Sequence, residues 1–172
     1  MLSDKLNKTI RDVPDFPKPG IIFKDITPIF HNVDLCHEIT DTLAEEALKR
    51  GINAIVGIES RGFFFGFTTA QKLNIPFVPI RKAGKLPYQT DSCEYQLEYG
   101  TAKIEMHIDA LMPGWKVMIH DDLLATGGTV SAAAELVKKQ KGIVDCYSFL
   151  VELSFLNGRK KLDGNVFSLI SF

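Results

Sequence analysis

Short apolar runs alternate with amphipathic stretches along most of the chain, and this pattern predicts an α/β fold. Residues 54–58 (AIVGI) are the clearest run, with the length and composition of a strand buried on both faces. Residues 34–50 instead repeat apolar side chains at helical spacing, and Gly51, a common helix stop, follows them. Strands that alternate with helices predict right-handed crossovers and therefore a twisted, mostly parallel sheet flanked by helices. The predicted strands are residues 54–58, 76–80, 117–119, 143–153 and 166–170.

Two regions have other patterns. Residues 3–11 predict a short polar helix, and the three prolines within residues 14–19 exclude regular structure as far as Gly20. The next segment, GIIFKDITPIF (residues 20–30), predicts a small edge strand or an N-terminal flap. Residues 83–94 are polar and rich in turn formers, whereas YQLEYG and KIEMHI within residues 95–108 alternate apolar with polar side chains. That alternation predicts a half-exposed hairpin.

Charged residues follow three of the predicted strands directly. They are the segment Glu59–Gly62, the pair Arg81 and Lys82, and the pair Asp121 and Asp122. Ligands of a parallel α/β sheet bind outside the carboxyl ends of its strands, so we expect these groups to meet at one edge. A single basic cluster there is more often a solvated turn, but two of them facing a phosphate site indicate a second anionic group. The basic side chains concerned are Arg61, Arg81, Lys82 and Lys85.

The segment from Val117 to Val137 carries the clearest chemical signal. It runs from the predicted strand through Asp121 and Asp122 to the small-residue loop Ala125–Thr129, and a helix is predicted from Thr129 onward. Glycines let a ligand approach the backbone closely, and the first N–H groups of a helix attract anions. This order of elements therefore predicts a phosphate-binding loop, to which the Thr126 and Thr129 hydroxyls can add donors.

Neither common phosphate motif fits this segment. A Walker loop requires a lysine after its last glycine, and none follows Gly128. A dinucleotide fold requires GxGxxG directly after the strand, where this chain has two aspartates. Acids beside a phosphate loop suit a ligand such as ribose 5-phosphate, whose diol lies next to its phosphate. The alternative is an ordinary strand-to-helix turn capped by Thr129, with two solvated aspartates.

Composition narrows the class of protein. The 172 residues suit one domain, and 20 basic against 21 acidic side chains give a net charge of −1, which disfavours nucleic acid as the main partner. No apolar run has membrane-spanning length, and the polar N-terminus lacks the apolar segment of a signal peptide. Cys36, Cys93 and Cys146 are too widely spaced for a zinc site or a disulfide framework, which indicates free thiols in a reducing cytoplasm.

The segment DDLLATGGT resembles the phosphoribosyl pyrophosphate (PRPP) motif of the type I phosphoribosyltransferases, in the form found in the adenine phosphoribosyltransferase family. Five further segments are similar to that family in the same order, so the resemblance covers nearly the whole chain. They are DFPKPGIIFKDITP, ESRGFFFG, PIRKAGKLP, LEYG and VELSFLNGRKKL.

This resemblance implies a fold and an activity. The fold is the type I phosphoribosyltransferase fold, α/β, as one domain over residues 1–172, in which residues 1–32 form an N-terminal hood. The core is residues 33–172, with a mobile hairpin lid at about residues 82–99. The implied reaction converts adenine and PRPP to AMP and pyrophosphate, with Mg²⁺ held mainly by substrate and water. The family likeness also implies a homodimer.

The resemblance assigns residues to each part of such a site. Those for the 5-phosphate are Ala125, Thr126, Gly127, Gly128 and Thr129, and those for the ribose diol are Asp121 and Asp122. Those for pyrophosphate are Ser60, Arg61, Arg81, Lys82 and Lys85, with a cis peptide between Glu59 and Ser60. Those for adenine are Ile22, Phe23 and Lys24 of the hood, with Leu123 or Leu153 on the opposite face of the base. The implied catalytic residues are Glu98, Arg61, Asp121 and Asp122, with Glu98 exchanging a proton with adenine.

Several of these residues have plainer interpretations. From local sequence alone Phe23 is a core aromatic, and Glu98 is an exposed strand carboxylate paired with Lys103. His120, at the end of the central strand, is interpreted as a packed, neutral side chain rather than a neighbour of the diol.

Three other functions remain as alternatives. A related enzyme acting on hypoxanthine, xanthine or orotate is disfavoured by the hood sequence and by LEYG. A PRPP-sensing regulatory protein that binds nucleic acid would need a basic face, which a net charge of −1 does not offer. A catalytically silent interaction protein is disfavoured by the intact DDLLATGGT.

Overall fold

The computed structural model describes residues 1–96 and 100–172 and confirms the predicted α/β architecture. Within these described ranges, nine strands form a seven-stranded sheet and a separate two-stranded sheet. The strands are β1 (Arg11–Pro14), β2 (Ile22–Asp25), β3 (Ala54–Ile58), β4 (Phe77–Lys82), β5 (Thr90–Gln96), β6 (Thr101–His107), β7 (Lys116–Leu124), β8 (Ile143–Glu152) and β9 (Asn165–Ser171). The helices are α1 (Leu2–Thr9), α2 (Val33–Arg50), α3 (Gly62–Leu73) and α4 (Gly128–Lys139), with short 3₁₀ turns at Thr27–His31, Ser154–Leu156 and Gly158–Lys161.

The large sheet has the strand order β5-β6-β4-β3-β7-β8-β9. Strands β4, β3, β7, β8 and β9 run parallel, whereas β6 pairs antiparallel with β4 and β5. The chain leaves β3 towards β4 on one side and later returns to β7 on the other side. The strand order therefore reverses between β3 and β7, the position where open α/β sheets bind ligands.

Helices cover both faces of this sheet. On one face Ile55 and Met118 pack with Ala47 of α2 and Ala70 of α3. On the other face the apolar side of α4 packs in a second core cluster with strand residues such as Ile119. Among the described residues, no helix has both the length and the apolar character that a membrane span requires.

The N-terminal hood contains the small antiparallel sheet of β1 and β2. β1 includes Pro14, so the prediction that the prolines exclude all regular structure here was wrong. An edge strand tolerates proline because one side of its backbone needs no ladder partner. Leu6, Ile10 and Ile26 are buried with residues of α2 and β8, which anchors the hood to the core.

Three strands differ in length from the prediction. β4 extends through Arg81 and Lys82, and β7 extends to Leu124, five residues beyond the apolar run that ends at Ile119. β5 begins at Thr90, within the segment predicted as turn-rich, and pairs with β6 from Thr90↔His107 to Gln96↔Thr101.

Candidate active site

The charged groups predicted to meet do lie at one edge of the sheet. β3 ends at Ile58, directly before Glu59–Gly62. Asp121 and Asp122 belong to the neighbouring strand β7, near its end, whereas the prediction placed them after the strand. Arg81 and Lys82 are likewise the last residues of β4, on the other side of β3. The three groups therefore surround the point where the strand order reverses.

The glycine loop Ala125–Thr129 connects β7 to α4, as predicted. Gly127 is the N-cap of α4 with φ of +80°, a conformation that favours glycine. No side chain of the described residues caps this helix, so its first N–H groups point at the loop without such an acceptor. The loop, together with Asp121, lines a cavity of about 80 Å³. An anion is the natural partner for this arrangement of donors.

The backbone of Gly158 packs closely against the glycine loop, a contact that was not predicted from the sequence. A Cβ on Gly127 would lie 2.6 Å from the Gly158 carbonyl oxygen, and a Cβ on Gly158 would overlap the Ala125 carbonyl oxygen. The two backbones can approach this closely only because both residues are glycine. The only sequence signal was that Gly158 lies in VELSFLNGRKKL, one of the family-like segments.

Glu152 and Arg159 anchor the segment that carries Gly158. Two guanidinium nitrogens of Arg159 donate to the Glu152 carboxylate, both at 2.7 Å, and Ser168 donates to the same carboxylate at 2.7 Å. The charged hydrogen bonds hold the pKa of Glu152 below its usual range, against the effect of burial. This bidentate pair ties the end of β8 to the turn behind the glycine loop.

Asp121, which is half-buried, and Asp122, which is buried, form an acid pair. Burial raises the pKa of both, and the Asp122 charge raises that of Asp121 further, whereas the Arg61 guanidinium opposes the rise at Asp122. Arg61 Nε lies 2.9 Å from Asp122 Oδ2, yet this oxygen has no aligned hydrogen bond from any described residue. Asp122 is therefore the better placed of the two to carry negative charge.

The basic side chains near the ends of β3 and β4 differ in how far other residues already engage them. Arg81 donates to Glu59 at 3.3 and 3.4 Å, and the Lys82 N–H donates to Glu59 Oε2 at 2.9 Å. Although burial raises the pKa of Glu59, these hydrogen bonds outweigh it and the pKa is lowered. The peptide bond between Glu59 and Ser60 is cis, as the family likeness implied. Lys82 and Lys85 are exposed, and their ammonium groups form no salt bridge with the described residues.

The hood places Phe23 beside Arg61. The Phe23 ring lies 5.2 Å from the Arg61 guanidinium carbon and meets Phe16 edge-on at 5.2 Å. Arg61 therefore contacts both Asp122 and the aromatic ring of the hood. Of the other residues predicted for adenine, Ile22 is exposed, and Leu123 and Leu153 are half-buried at the margin of the hood's core cluster.

Lys24, another residue predicted for adenine, has its ammonium group engaged elsewhere. Its Nζ lies 2.6 Å from Asp12 Oδ1 and 3.7 Å from the centre of the Phe172 ring. These contacts hold β2 to β1 and to the end of β9. Glu98, together with Leu97 and Tyr99, lies outside the described residues.

His120 is packed and neutral, as interpreted from the sequence. It is buried on β7, and its Nδ1 lies 2.9 Å from the Ser148 hydroxyl oxygen on β8. Its Nε2 has no partner among the described residues, so a protonated ring would bury an unsatisfied donor. Burial accordingly lowers the pKa of His120 to about 4.

This buried histidine predicts a loss of stability in mild acid. As the pH falls, the unfolded chain takes up the proton near pH 6.5, whereas the folded chain takes it up only near pH 4. The free energy of unfolding therefore falls by about 3 kcal/mol, through His120 alone, as the pH is lowered from 6.5 to 4. The His120→Asn variant keeps a polar atom near the Nδ1 position but does not titrate. Urea unfolding measures the free energy of unfolding of the wild type and of His120→Asn, and the difference between them should shrink or reverse as the pH falls from 6.5 to 4. A constant difference would contradict a neutral, buried His120.

Comparison with known proteins gives the family. A model described as phosphoribosyl transferase domain matches residues 25–169. The adenine phosphoribosyltransferase of Cytophaga hutchinsonii is 52% identical over 162 residues, which cover 94% of this chain and 90% of that protein. The crystal structure of the Thermoanaerobacter pseudethanolicus adenine phosphoribosyltransferase superposes with a TM-score of 0.96 at 50% identity, covering 100% of both chains. The Saccharomyces cerevisiae enzyme, solved with an imino-altritol bisphosphate and adenine, gives 0.93 at 42% identity and 98% of each chain. This chain therefore belongs to the adenine phosphoribosyltransferase family, as the resemblance carried by DDLLATGGT had implied.

Proposed function

We propose that the protein transfers the 5-phosphoribosyl group of PRPP to adenine, giving AMP and pyrophosphate. The observation that carries this proposal is the juxtaposition, at one edge of the sheet, of the glycine loop, the acid pair, the basic residues at the ends of β3 and β4 and the aromatic ring of Phe23. One ligand with a 5-phosphate, a diol and a pyrophosphate uses all of these groups. Membership of the family and the adenine bound to the yeast enzyme support the choice of base.

The glycine loop Ala125–Thr129 is proposed to bind the 5-phosphate. Its backbone N–H groups and the positive end of α4 supply the donors, and the Thr126 and Thr129 hydroxyls add two more. Asp121 and Asp122 then hold the ribose hydroxyls at the other side of the same cavity. Asp121 lines this cavity, and the Arg61 guanidinium favours the ionised form of Asp122, which supports this role.

The pyrophosphate is proposed to lie against the ends of β3 and β4. The ammonium groups of Lys82 and Lys85 form no salt bridge with the described residues, so both are available to bind an anionic ligand. Arg81 is held by Glu59 and so contributes its charge from a fixed position. The remaining proposed residues on this side are Ser60 and Arg61.

Adenine is proposed to stack on Phe23 beneath the hood, with the Ile22 backbone at the purine edge and Leu123 or Leu153 on the other face. Lys24 contributes to this site by holding β2 in place, since its ammonium group is engaged by Asp12 and Phe172.

The residues of the chain then assist one chemical step. As pyrophosphate departs, positive charge develops on the anomeric carbon and ring oxygen of the ribose. Lys82 and Lys85 stabilise the negative charge of the leaving group, and ionised Asp122 favours the cationic ring. The hood holds the attacking nitrogen of adenine close to the anomeric carbon.

Magnesium is proposed to accompany PRPP. In residues 1–96 and 100–172, no three His, Cys, Asp or Glu side chains converge as a metal site would require. Mg²⁺ usually keeps several waters and takes oxygen ligands from substrate phosphates, so we expect substrate oxygens and water to hold it, with the Asp121 carboxylate facing the same cavity. When bound, the ion supplies positive charge against the pyrophosphate oxygens.

The Arg61→Ala variant tests whether Arg61 belongs to the PRPP and pyrophosphate side of the site rather than to the adenine side. Arg61 is the cation beside Asp122, so its loss should weaken PRPP and pyrophosphate binding about tenfold and change adenine binding by less. Calorimetric titration of each ligand measures this. Lys138→Ala removes a cation near the C-terminal end of α4 that pairs with exposed Asp163, and it serves as the control. An effect confined to adenine would contradict the assignment.

Glu98 is proposed to exchange a proton with adenine. Its support is the family likeness of the LEYG segment, and a Cβ on Gly128 of the glycine loop would lie 3.5 Å from the carbonyl oxygen of Gln96, the last residue of β5. General acid–base catalysis contributes about 10² to 10⁴-fold. The turnover number of Glu98→Gln, measured where chemistry limits the rate, tests this role, and an unchanged value would contradict it.

We further propose a homodimer. Val33, Phe64 and Phe67 are 64%, 51% and 49% exposed around a groove of about 910 Å³ between α2 and α3, and apolar faces of this kind mark interfaces. Light scattering should give twice the chain mass of 19.2 kDa, and Phe67→Asp should lower it, whereas Met112→Asp on another exposed site should not. A monomeric wild type would contradict this proposal.

A cytoplasmic location is proposed from the three free cysteines, and small molecules rather than nucleic acid or membrane are proposed as partners.

The experiment that tests the proposed reaction measures its stoichiometry. Purified protein with magnesium, PRPP and adenine should form one AMP for each pyrophosphate released, and neither product should form when adenine is omitted. Release of pyrophosphate without AMP would mean that the site hydrolyses PRPP and would contradict the proposal.

A further inference from the structure

Glu105 on β6 is a buried carboxylate that the proposed reaction does not use. It is 6% exposed, and its Oε1 accepts hydrogen bonds from the N–H groups of Lys85 at 3.0 Å and Leu86 at 2.9 Å. The Thr90 hydroxyl donates to Oε2 at 3.4 Å. Glu105 thus spans from one strand of the hairpin to the basic loop, which we define as Arg81–Leu86.

A carboxylate in this place requires an explanation. Burying a charge is costly unless the charge is well hydrogen-bonded, and a negative charge near a pyrophosphate site opposes anion binding. Burial would raise the pKa of Glu105, but N–H groups of Leu86, Gly84 and Lys85 outweigh it and lower the pKa, so the group is ionised at neutral pH. What Glu105 provides is therefore geometry rather than attraction for the ligand.

The basic loop is held at both of its ends. Glu59 accepts the Lys82 N–H at 2.9 Å, and Glu105 accepts the Lys85 N–H. The carbonyl oxygen of Lys85 in turn accepts from Arg81 Nη1 at 3.0 Å. Both polar groups of the Lys85 backbone are thus fixed, while its side chain is exposed and has no salt bridge among the described residues.

We propose that Glu105 is a positioning residue for the pyrophosphate side of the site: it fixes the backbone of the basic loop so that the Lys85 ammonium group meets the leaving pyrophosphate. This inference rests on the proposed function for the role of Lys85. It predicts that changes at Glu105 affect pyrophosphate and PRPP and leave adenine binding alone.

Two conservative variants separate geometry from charge. Glu105→Gln removes the charge but keeps an acceptor oxygen for the Lys85 and Leu86 N–H groups, and the Thr90 hydroxyl can accept from its amide. Glu105→Asp keeps the charge but withdraws the carboxylate by one methylene. We expect Glu105→Asp to raise the Kd of magnesium pyrophosphate and the KM for PRPP at least about fivefold, and Glu105→Gln to remain within about twofold of wild type. The KM for adenine should stay unchanged in both, and thermal unfolding checks that both are folded.

A double-mutant cycle with Lys85→Ala tests whether Glu105 acts through Lys85. In the Lys85→Ala background, Glu105→Asp should raise the Kd of pyrophosphate by less than about twofold, since the side chain that it positions is absent. A full fivefold effect in that background, or a Glu105→Gln variant as impaired as Glu105→Asp, would overturn the inference. Pyrophosphate calorimetry does not depend on turnover, so a wild type that forms no AMP would refute the proposed function while the Glu105 cycle still gives its own answer.

Discussion

Replacing Gly127 by alanine is expected to lower kcat/KM for PRPP by about 10²-fold or more while leaving the protein folded. Gly127 has φ of +80°, which costs an L-residue roughly 1–2 kcal/mol, and the new Cβ would lie 2.6 Å from the Gly158 carbonyl oxygen. Because that neighbour is backbone held by the Glu152–Arg159 pair, the glycine loop must move instead. A shift of about 1 Å is enough to misplace the 5-phosphate.

Gly51→Ala is the matched control for this prediction. Gly51 has φ of +66° at the end of α2, but a Cβ there would meet no atom within 4 Å. It should cost a similar amount of stability and leave kcat/KM unchanged. Steady-state kinetics with varied PRPP, together with thermal unfolding, measures both variants. Wild-type kcat/KM in folded Gly127→Ala would contradict the role of the glycine loop.

The Asp122→Asn variant is expected to reduce kcat about 10²-fold with little loss of stability. Asp122 is 3% exposed, and its Oδ2 lies 2.9 Å from Arg61 Nε without an aligned hydrogen bond from a described residue. The amide keeps the shape of the side chain but removes the charge that pairs with Arg61 and accepts a ribose hydroxyl. It also removes the negative charge that favours a cationic ribose ring.

Asp109→Asn neutralises an exposed aspartate in the turn after β6 and is the control for the change in net charge. Single-turnover measurements of AMP formation give the rate of the chemical step for both variants. If folded Asp122→Asn reacts at the wild-type rate, the acid pair does not hold the ribose and the assignment is wrong.

The sequence predicted elements well where the signals are local. α2 was predicted at residues 34–50 and spans Val33–Arg50, because its apolar face repeats at helical spacing and Gly51 ends it. β3 matches AIVGI residue for residue, since a strand buried on both faces is apolar throughout. These elements show their environment in their own residues.

The predicted boundaries were wrong where pairing with a distant strand decides them. β7 continues through Asp121 and Asp122 to Leu124 because its pairing with β8 continues as far as Leu124↔Glu152. β5 begins at Thr90, although residues 90–94 are polar, because Thr90 already pairs with His107, the last residue of β6. Polar residues join a strand where the neighbouring strand supplies the hydrogen bonds, and apolar periodicity does not report this.

The candidate site divides in the same way. The glycine loop was visible in the sequence because strand, acids, loop and helix are contiguous. Three contacts join residues that are far apart in the chain: that of Gly158 with the glycine loop, that of Glu59 with Arg81, and that of Glu105 with the basic loop. Glu59 and Arg81, for example, are 22 positions apart. Such contacts decide which cations are available to a ligand, and only the fold brings them together.

We expect the site to join adenine to the ribosyl group of PRPP far faster than it joins any other base. The most direct test of this expectation is a competition in which purified protein receives limiting PRPP, magnesium and equal concentrations of adenine, hypoxanthine, guanine and orotate, and the nucleotides formed are separated and quantified. The account predicts AMP as nearly the whole product. Equal amounts of IMP or GMP, or OMP in place of AMP, would contradict it.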